Sequence, residues 1–223
     1  MDRTSNQMFC GVDEAGKGAV LGPLVIAAVG CRTARDLSGI PVKDSKLLSP
    51  SERSRLFDRI TKKCITSLLV IDAADIDLLR RCGSMNLLMA RAHAAVIREL
   101  RPDKAFVDAC DVIAARFGRM IAASLDFPCT IISEHHADEN RPAVSAASIV
   151  AKVTRDRLIH ELSPAFGEIG SGYPSDGKTV SFLEQYIREY RRPPPCARSS
   201  WETVKTLIYR VEQSDLSRFF ILY

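Results

Sequence analysis

Gly11-Val12-Asp13-Glu14-Ala15-Gly16-Lys17-Gly18 is the stretch whose reading decides the fold. Met8, Phe9, Cys10 and Val12 lead into it, so it reads as an apolar strand that ends in two adjacent carboxylates and a Gly-Lys-Gly turn. Paired acids at a strand end suit a hard divalent cation. Closely spaced glycines let another backbone, such as a nucleic-acid strand, come near. The combination points to metal-assisted phosphoryl chemistry on a nucleic acid. The spacing from Gly11 to Lys17 also fits the opening of a phosphate-cradling P-loop, but that loop needs Ser or Thr where Gly18 stands. Asp13 and Glu14 would further place two anions inside the cradle, so the nucleotide-binding reading is a minor alternative.

Working outward, Ala19 to Gly30 reads as a second buried strand interrupted at Gly22-Pro23, which makes an antiparallel hairpin with the first. Ser49-Pro50-Ser51-Glu52 is a capping box with proline at the first helical position. Residues 64–71 read as a third strand and 84–99 as a long helix. Residues 105–109 form a short strand, and helical spacing follows from Ile113 to Ser124. A strand over 127–132 and a helix over 142–162 come next, and the pattern is helical only after about residue 175. Early strands followed by alternating strands and helices give an α/β domain with a mixed sheet.

The chain has 223 residues, 46% of them apolar, and a net charge of only +4, so local clusters must carry any case for nucleic-acid binding. No run spans a bilayer, and the polar N-terminus lacks the order of a signal peptide. Seven cysteines without a C-x-x-C pair read as reduced residues of a cytoplasmic protein.

Two further acids end apolar strands: Asp108 closes Ala-Phe-Val-Asp, and Asp138 follows Thr130-Ile131-Ile132. Functional groups gather at strand carboxyl ends in such sheets, so Asp13, Glu14, Asp108 and Asp138 are expected to converge. Four carboxylates suit two magnesium or manganese ions. Ions roughly 3.5–4 Å apart serve phosphodiester cleavage. For any single one of these acids, an ordinary turn or cap role is the simpler reading. Adjacent strand residues also face opposite ways, so Asp13 and Glu14 share a cluster only if the strand bends.

Together these motifs resemble ribonuclease HII, the type 2 ribonuclease H, in its archaeal single-chain form. The resemblance rests on residues 11–18, with Lys17 where arginine is usual. It also rests on Lys43-Asp44-Ser45-Lys46-Leu47, on Val107-Asp108-Ala109, and on Ala137-Asp138 followed by residues 144–153. Ser171-Gly172-Tyr173-Pro174-Ser175-Asp176 completes the set. His136 stands where lysine is expected. The resemblance implies a ribonuclease H-like α/β fold with a mixed β-sheet flanked by helices, plus a C-terminal helical region. It implies an endonuclease that cuts the RNA strand of RNA–DNA hybrids and cuts 5′ of single ribonucleotides in duplex DNA. The products would carry 3′-hydroxyl and 5′-phosphate ends. The four acids would be catalytic and bind the metals, Gly16, Lys17 and Gly18 would read the ribose 2′-hydroxyl, and Tyr173 would stack on the sugar at the junction. Residues 1–174 are then the catalytic domain and 175–212 the helical region, in a protein expected to act as a monomer.

Other residues have two readings each. Ser145, Ser148, Lys152 and Arg155 form one polar helical stripe, either phosphate-binding or simply solvated. Lys46 and Asn86 are nucleic-acid contacts or, respectively, surface and cap residues. His135 and His136 suggest a transition-metal pair or two exposed side chains. Lys178, Arg188, Arg191, Arg192, Arg198 and Lys205 make the C-terminal region basic enough to help hold a duplex, and Trp201 is expected to anchor its packing. Gln213-Ser214-Asp215-Leu216-Ser217-Arg218-Phe219-Phe220 resembles the peptide that docks on the PCNA sliding clamp. One helical turn puts Leu216, Phe219 and Phe220 on one side, with Gln213 for a polar pocket; the alternative is that this tail, 213–223, packs on its own domain. Clamp docking would tie the enzyme to DNA replication and repair. The competing functions are another two-metal nuclease of the same fold, such as a resolvase or integrase, and a non-catalytic hybrid-binding protein.

Overall fold

The computed structural model describes residues 7–42 and 48–221, with side chains described as far as residue 213. Lys46 and its motif therefore lie outside the described residues, as do the side chains of Leu216, Phe219 and Phe220.

Five strands form one mixed sheet in the order β3-β2-β1-β4-β5. The strands are β1 (Phe9–Ala15), β2 (Leu24–Cys31), β3 (Ile65–Ile71), β4 (Lys104–Asp108) and β5 (Thr130–Glu134). The expected hairpin is present: β1 pairs antiparallel with β2, Asp13 opposite Ala27 and Glu14 opposite Ile26. Strand β1 also pairs parallel with β4, which in turn pairs parallel with β5. Residues 19–23 are not part of β2: Gly22 takes a positive φ and the strand starts only after Pro23, as expected where proline withdraws a ladder donor.

The helices are α1 (Pro50–Lys63), α2 (Ala73–Arg81), α3 (Met85–Leu100), α4 (Ala114–Ala122), α5 (Ala137–Asn140), α6 (Pro142–His160), α7 (Ser163–Phe166), α8 (Gly177–Tyr190) and α9 (Glu202–Ile221). The capping box before α1 forms as read: Ser49 accepts from the Glu52 N–H while the Glu52 side chain accepts from the Ser49 N–H at 2.8 Å. Helix α2 has no counterpart in the sequence reading.

Helix α6 is the main departure from the expected amphipathic pattern. Residues 143–151 are buried without interruption, Ser145 and Ser148 included. Its alanines let the helix lie close on the sheet, and Gly11 lets the sheet meet it. A Cβ at Gly11 would fall 2.1 Å from the Ala143 carbonyl carbon, inside any allowed contact.

The chain separates into two compact units, each discontinuous in sequence. One comprises residues 1–15, 25–70 and 82–154, and contains nearly all of the sheet; the other comprises 16–24, 71–81 and 155–223. The second unit has its own apolar core, in which Val20, Leu21, Ile159, Leu183, Ile187, Val204 and Leu207 are buried and Trp201 packs against them. Among the described residues no helix is long and apolar enough to cross a membrane.

Candidate active site

Parallel pairing of β1 with β4 ends at Val12 opposite Val107. Asp13 and Asp108 are thus the first residues past the last paired rung, at the carboxyl ends of neighbouring strands. Strand β1 does not bend between the two acids, since pairing with β2 continues through Ala15. Asp13 and Glu14 therefore face opposite sides of the sheet. Asp13, 6% exposed, turns to α6, where the Ser148 hydroxyl hydrogen-bonds its carboxylate; it also accepts from the Glu14 N–H at 2.8 Å. Glu14 turns to α3, where its Oε2 lies 3.3 Å from Nε2 of the fully buried His93.

Asp108 joins the two sides. It interacts electrostatically with Asp13, with Glu14 and with Asp138, so it is the common neighbour of the other three acids. The Ala137 N–H donates to its Oδ1 at 2.8 Å. Asp138 is buried and sits within the single turn α5, rather than in a loop as the sequence suggests. The Ser145 hydroxyl donates to the Asp138 carbonyl and, at 3.3 Å, to that of Arg141.

The electrostatics are those of carboxylates crowded together away from water. Burial first, then the charges of Glu14 and Asp108, hold the Asp13 carboxyl well above the usual carboxylate range. Burial likewise raises Asp108, with Asp138 and Glu14 adding to it and the Ala137 N–H opposing. Like charges withdrawn from water resist joint ionisation. Glu14 Oε2 is also buried without a hydrogen-bond partner. An orphaned carboxylate oxygen among mutually repelling acids fits hard divalent ions.

The polar stripe of α6 is placed differently from expectation. Ser145 and Ser148 are buried against the acids and face no solvent. Lys152 Nζ donates to Ser148 Oγ at 2.8 Å, which completes a Lys152–Ser148–Asp13 chain. Arg155 is only 2% exposed, so it is not a surface phosphate contact. Its guanidinium donates to the Ser171 and Leu21 carbonyls at 3.1 and 3.2 Å and stacks 4.6 Å from the Tyr173 ring. Asn86 neither caps α3, a role taken by Ser84, nor projects freely; its amide donates to Asp111 Oδ2 at 3.0 Å.

In the second unit the Gly-Lys-Gly turn is tied to Tyr173. The Gly16 N–H donates to the Tyr173 hydroxyl at 3.0 Å. Gly16 has φ +90, and a Cβ there would fall 2.4 Å from Arg155 Nε, whereas a Cβ at Gly18 would meet open space. Arg198, read as a duplex contact, is buried: it donates twice to the Gly22 carbonyl and once, at 3.2 Å, to that of Lys17. Lys178 and Arg188 are exposed but pair with Glu168 and Glu184. Trp201 lies under the guanidinium groups of Arg80 and Arg198. Gln213 lies on α9, whose helical backbone continues through the clamp-like motif to Ile221.

His93 was invisible as a site residue. It lies in the apolar run Leu88–Ile97 of α3, where a lone histidine reads as core. His135 and His136 do not form a pair of ligands; His136 lies beside Glu139 instead, at 3.4 Å, and both side chains are exposed.

A sequence model of the family described as Ribonuclease HII matches residues 10–204. The ribonuclease HII of Methanoregula boonei is 56% identical over 213 residues, covering 96% of this chain and all of the relative. The crystal structure of the ribonuclease H2 from Pyrococcus horikoshii superposes with a TM-score of 0.86 at 41% identity, over 92% of this chain and 99% of that one. The ribonuclease HII in a PCNA complex from Archaeoglobus fulgidus superposes at 0.83 with 40% identity, over 87% of this chain and 95% of that one. Matching in sequence and in fold over nearly its whole length, the chain belongs to the ribonuclease HII family, the type 2 ribonucleases H.

Proposed function

We propose that this type 2 ribonuclease H cuts the RNA strand of RNA–DNA hybrids and cuts 5′ of single ribonucleotides embedded in duplex DNA, leaving 3′-hydroxyl and 5′-phosphate ends. The observation that carries the proposal is the position of Asp108 as common neighbour of Asp13, Glu14 and Asp138. Magnesium or manganese held by these four carboxylates would stabilise the attacking and leaving oxygens of an in-line displacement. The protein's own part is to aim the carboxylates. Ser148 and the Glu14 N–H fix Asp13, the Ala137 N–H fixes Asp108, and Ser145 ties the chain at Asp138 to α6. Lys152 supplies a positive charge behind Ser148 and orients its hydroxyl.

Substrate choice falls to the turn that follows Glu14 by two residues along the chain. The Gly16–Gly18 backbone reads the ribose 2′-hydroxyl, and Tyr173 stacks on the sugar at the RNA–DNA junction. Support comes from the bond between Gly16 and Tyr173 and from Arg155 beneath the ring, which assemble the reader before substrate arrives. Preassembly lowers the ordering cost of binding. Residues 1–174 serve as the catalytic domain, 175–212 as a helical region, and 213–223 as the segment that docks on a sliding clamp, with a monomer acting in the cytoplasm during replication and repair. The clamp role is supported by the Gln213, Leu216, Phe219, Phe220 pattern and by the relative solved in complex with PCNA.

The test is cleavage of a labelled DNA duplex that holds one ribonucleotide, with magnesium or manganese. Cutting 5′ of the ribonucleotide, lost in Asp13→Asn and Asp108→Asn, is expected. Cutting only within longer RNA stretches would remove the junction reading. Binding of hybrid without any cleavage would remove the catalytic one.

A further inference from the structure

Behind Glu14 lies a group of atoms that the four-acid site does not use. His93 is fully buried on α3, and its Nδ1 lies 2.8 Å from the Met89 carbonyl. A carbonyl only accepts, so Nδ1 carries a proton and Nε2 is the ring atom turned to the acid. Nε2 lies 3.3 Å from Glu14 Oε2, and neither buried atom has a hydrogen-bond partner. Cys110 completes the group: its Sγ, His93 Nε2 and a Glu14 carboxylate oxygen all lie within 4.8 Å of one another. A ring nitrogen whose partner N–H is pinned to a backbone carbonyl has the usual orientation of a metal-ligating histidine.

We infer that Glu14, His93 and Cys110 form a second metal site, selective for a zinc-class ion, that shares Glu14 with the four-acid cluster and inhibits cleavage when filled. Two observations choose the ion. Nitrogen, sulfur and oxygen donors together suit zinc, whereas magnesium takes oxygen. Nitrogen and oxygen ligands about 2.0–2.1 Å from a tetrahedral zinc lie roughly 3.3–3.4 Å from each other. The observed separation is 3.3 Å. A water would supply the fourth ligand. On binding, the Cys110 thiol releases its proton and the thiolate joins the ion. The second group of close ligand atoms, His136, Asp138 and Glu139, offers a weaker contrast, because His136 and Glu139 are exposed to competing water. Inhibition rests on the function proposed above, since it follows from drawing Glu14 away from the other acids; binding does not.

Cobalt(II) is the probe, because a thiolate on tetrahedral cobalt gives a sulfur-to-metal charge-transfer band beside strong visible absorption. The full-length reduced protein is titrated with cobalt and then with zinc, which should displace it. We expect one equivalent with the charge-transfer band, the band lost in Cys110→Ser, and affinity lowered at least about tenfold in His93→Gln. Cys110→Ser should keep magnesium-dependent cleavage, which also shows that it folds, and should tolerate zinc that stops the unaltered protein. A missing band, or one undiminished in Cys110→Ser, overturns the site. Equal zinc sensitivity in Cys110→Ser overturns the inhibitory role. If the unaltered protein does not cut with magnesium, the proposed function fails while the cobalt spectrum still decides the site.

Discussion

The two ends of the motif from Gly11 to Gly18 are built on opposite principles. Up to Glu14 the chain collects unsatisfied charge: Asp13 is buried beside Glu14 and Asp108, and Glu14 keeps an orphaned oxygen. From Gly16 onward the backbone is tied by neutral and cationic donors, although Arg155 Nε is itself buried without a partner. Tyr173 accepts from Gly16, Arg155 fills the Leu21 and Ser171 carbonyls, and Arg198 fills those of Gly22 and Lys17. The first arrangement is expected to cost stability, and under the proposed function a bound cation would relieve that cost. The second is held by several hydrogen bonds to its own backbone and is expected to be rigid. Under the proposed function, chemistry would sit on a charge conflict and recognition on a hydrogen-bonded scaffold.

The largest break in this contrast comes from the acids. Asp13→Asn and Asp108→Asn should each cost about 4 kcal/mol of transition-state stabilisation, roughly a thousandfold in rate. Single-turnover cleavage measures it, and activity within tenfold of the unaltered protein would remove those acids from the site. Gly16→Ala should come next. Its φ of +90 and the close approach of Arg155 Nε and the Pro23 carbonyl leave no room for a methyl group. A loss of about 2–3 kcal/mol in chemical denaturation is expected. Gly18→Ala, facing open space, should stay within about 0.5 kcal/mol. Equal effects at the two glycines would contradict the rigid turn. Tyr173→Phe removes one hydrogen bond, so about 1 kcal/mol of stability should go. Cleavage at a single ribonucleotide should then fall more than cleavage of a long hybrid, and an equal fall on both would detach Tyr173 from junction selection.

The smallest effect sharpens the contrast through pH. Asp111 is a satisfied carboxylate of the same unit as Asp13. Arg116, the Ile113 N–H and Asn86 hold its carboxyl at about 2. A depressed folded value gives stability that is present above the ordinary carboxylate pKa of about 3.9 and lost as pH falls through the folded value. Asp111→Asn should therefore be less stable than the unaltered protein at pH 5, with the difference gone near pH 2. Asp13 has the opposite sign. Its raised folded value means a penalty at neutral pH that fades on acidification. Urea denaturation of both variants across pH 2–7 should show one difference shrinking from loss and the other from gain.

The strands, the hairpin and the strand-end positions of Asp13 and Asp108 were legible because their signals are local: apolar runs that stop at those acids, glycines at a turn, and a capping box at Ser49. What stayed hidden depends on burial from both sides. The stripe Ser145, Ser148, Lys152, Arg155 has the spacing of a solvated face, yet α6 is buried without interruption over residues 143–151, and the stripe's polar groups point at Asp13, Asp138 and Tyr173. Arg155 and Arg198 count as basic surface in a sequence, but both are buried and their guanidinium groups serve backbone carbonyls. His93 carries no periodic signal at all; only its position across from Glu14 makes it chemical. The question of how Asp13 and Glu14 cooperate also needed the fold. They do so without a bend, from opposite faces of β1, through Asp108.

The most direct test of this charge conflict is thermal unfolding of the unaltered protein and of Asp13→Asn, in chelator and in saturating manganese at neutral pH. Asp13→Asn should melt higher than the unaltered protein in chelator, and manganese should raise the unaltered protein well above its chelator value while moving the variant little. An unaltered protein that melts no lower in chelator and gains nothing from manganese would show that the buried acids are not held in readiness for cations.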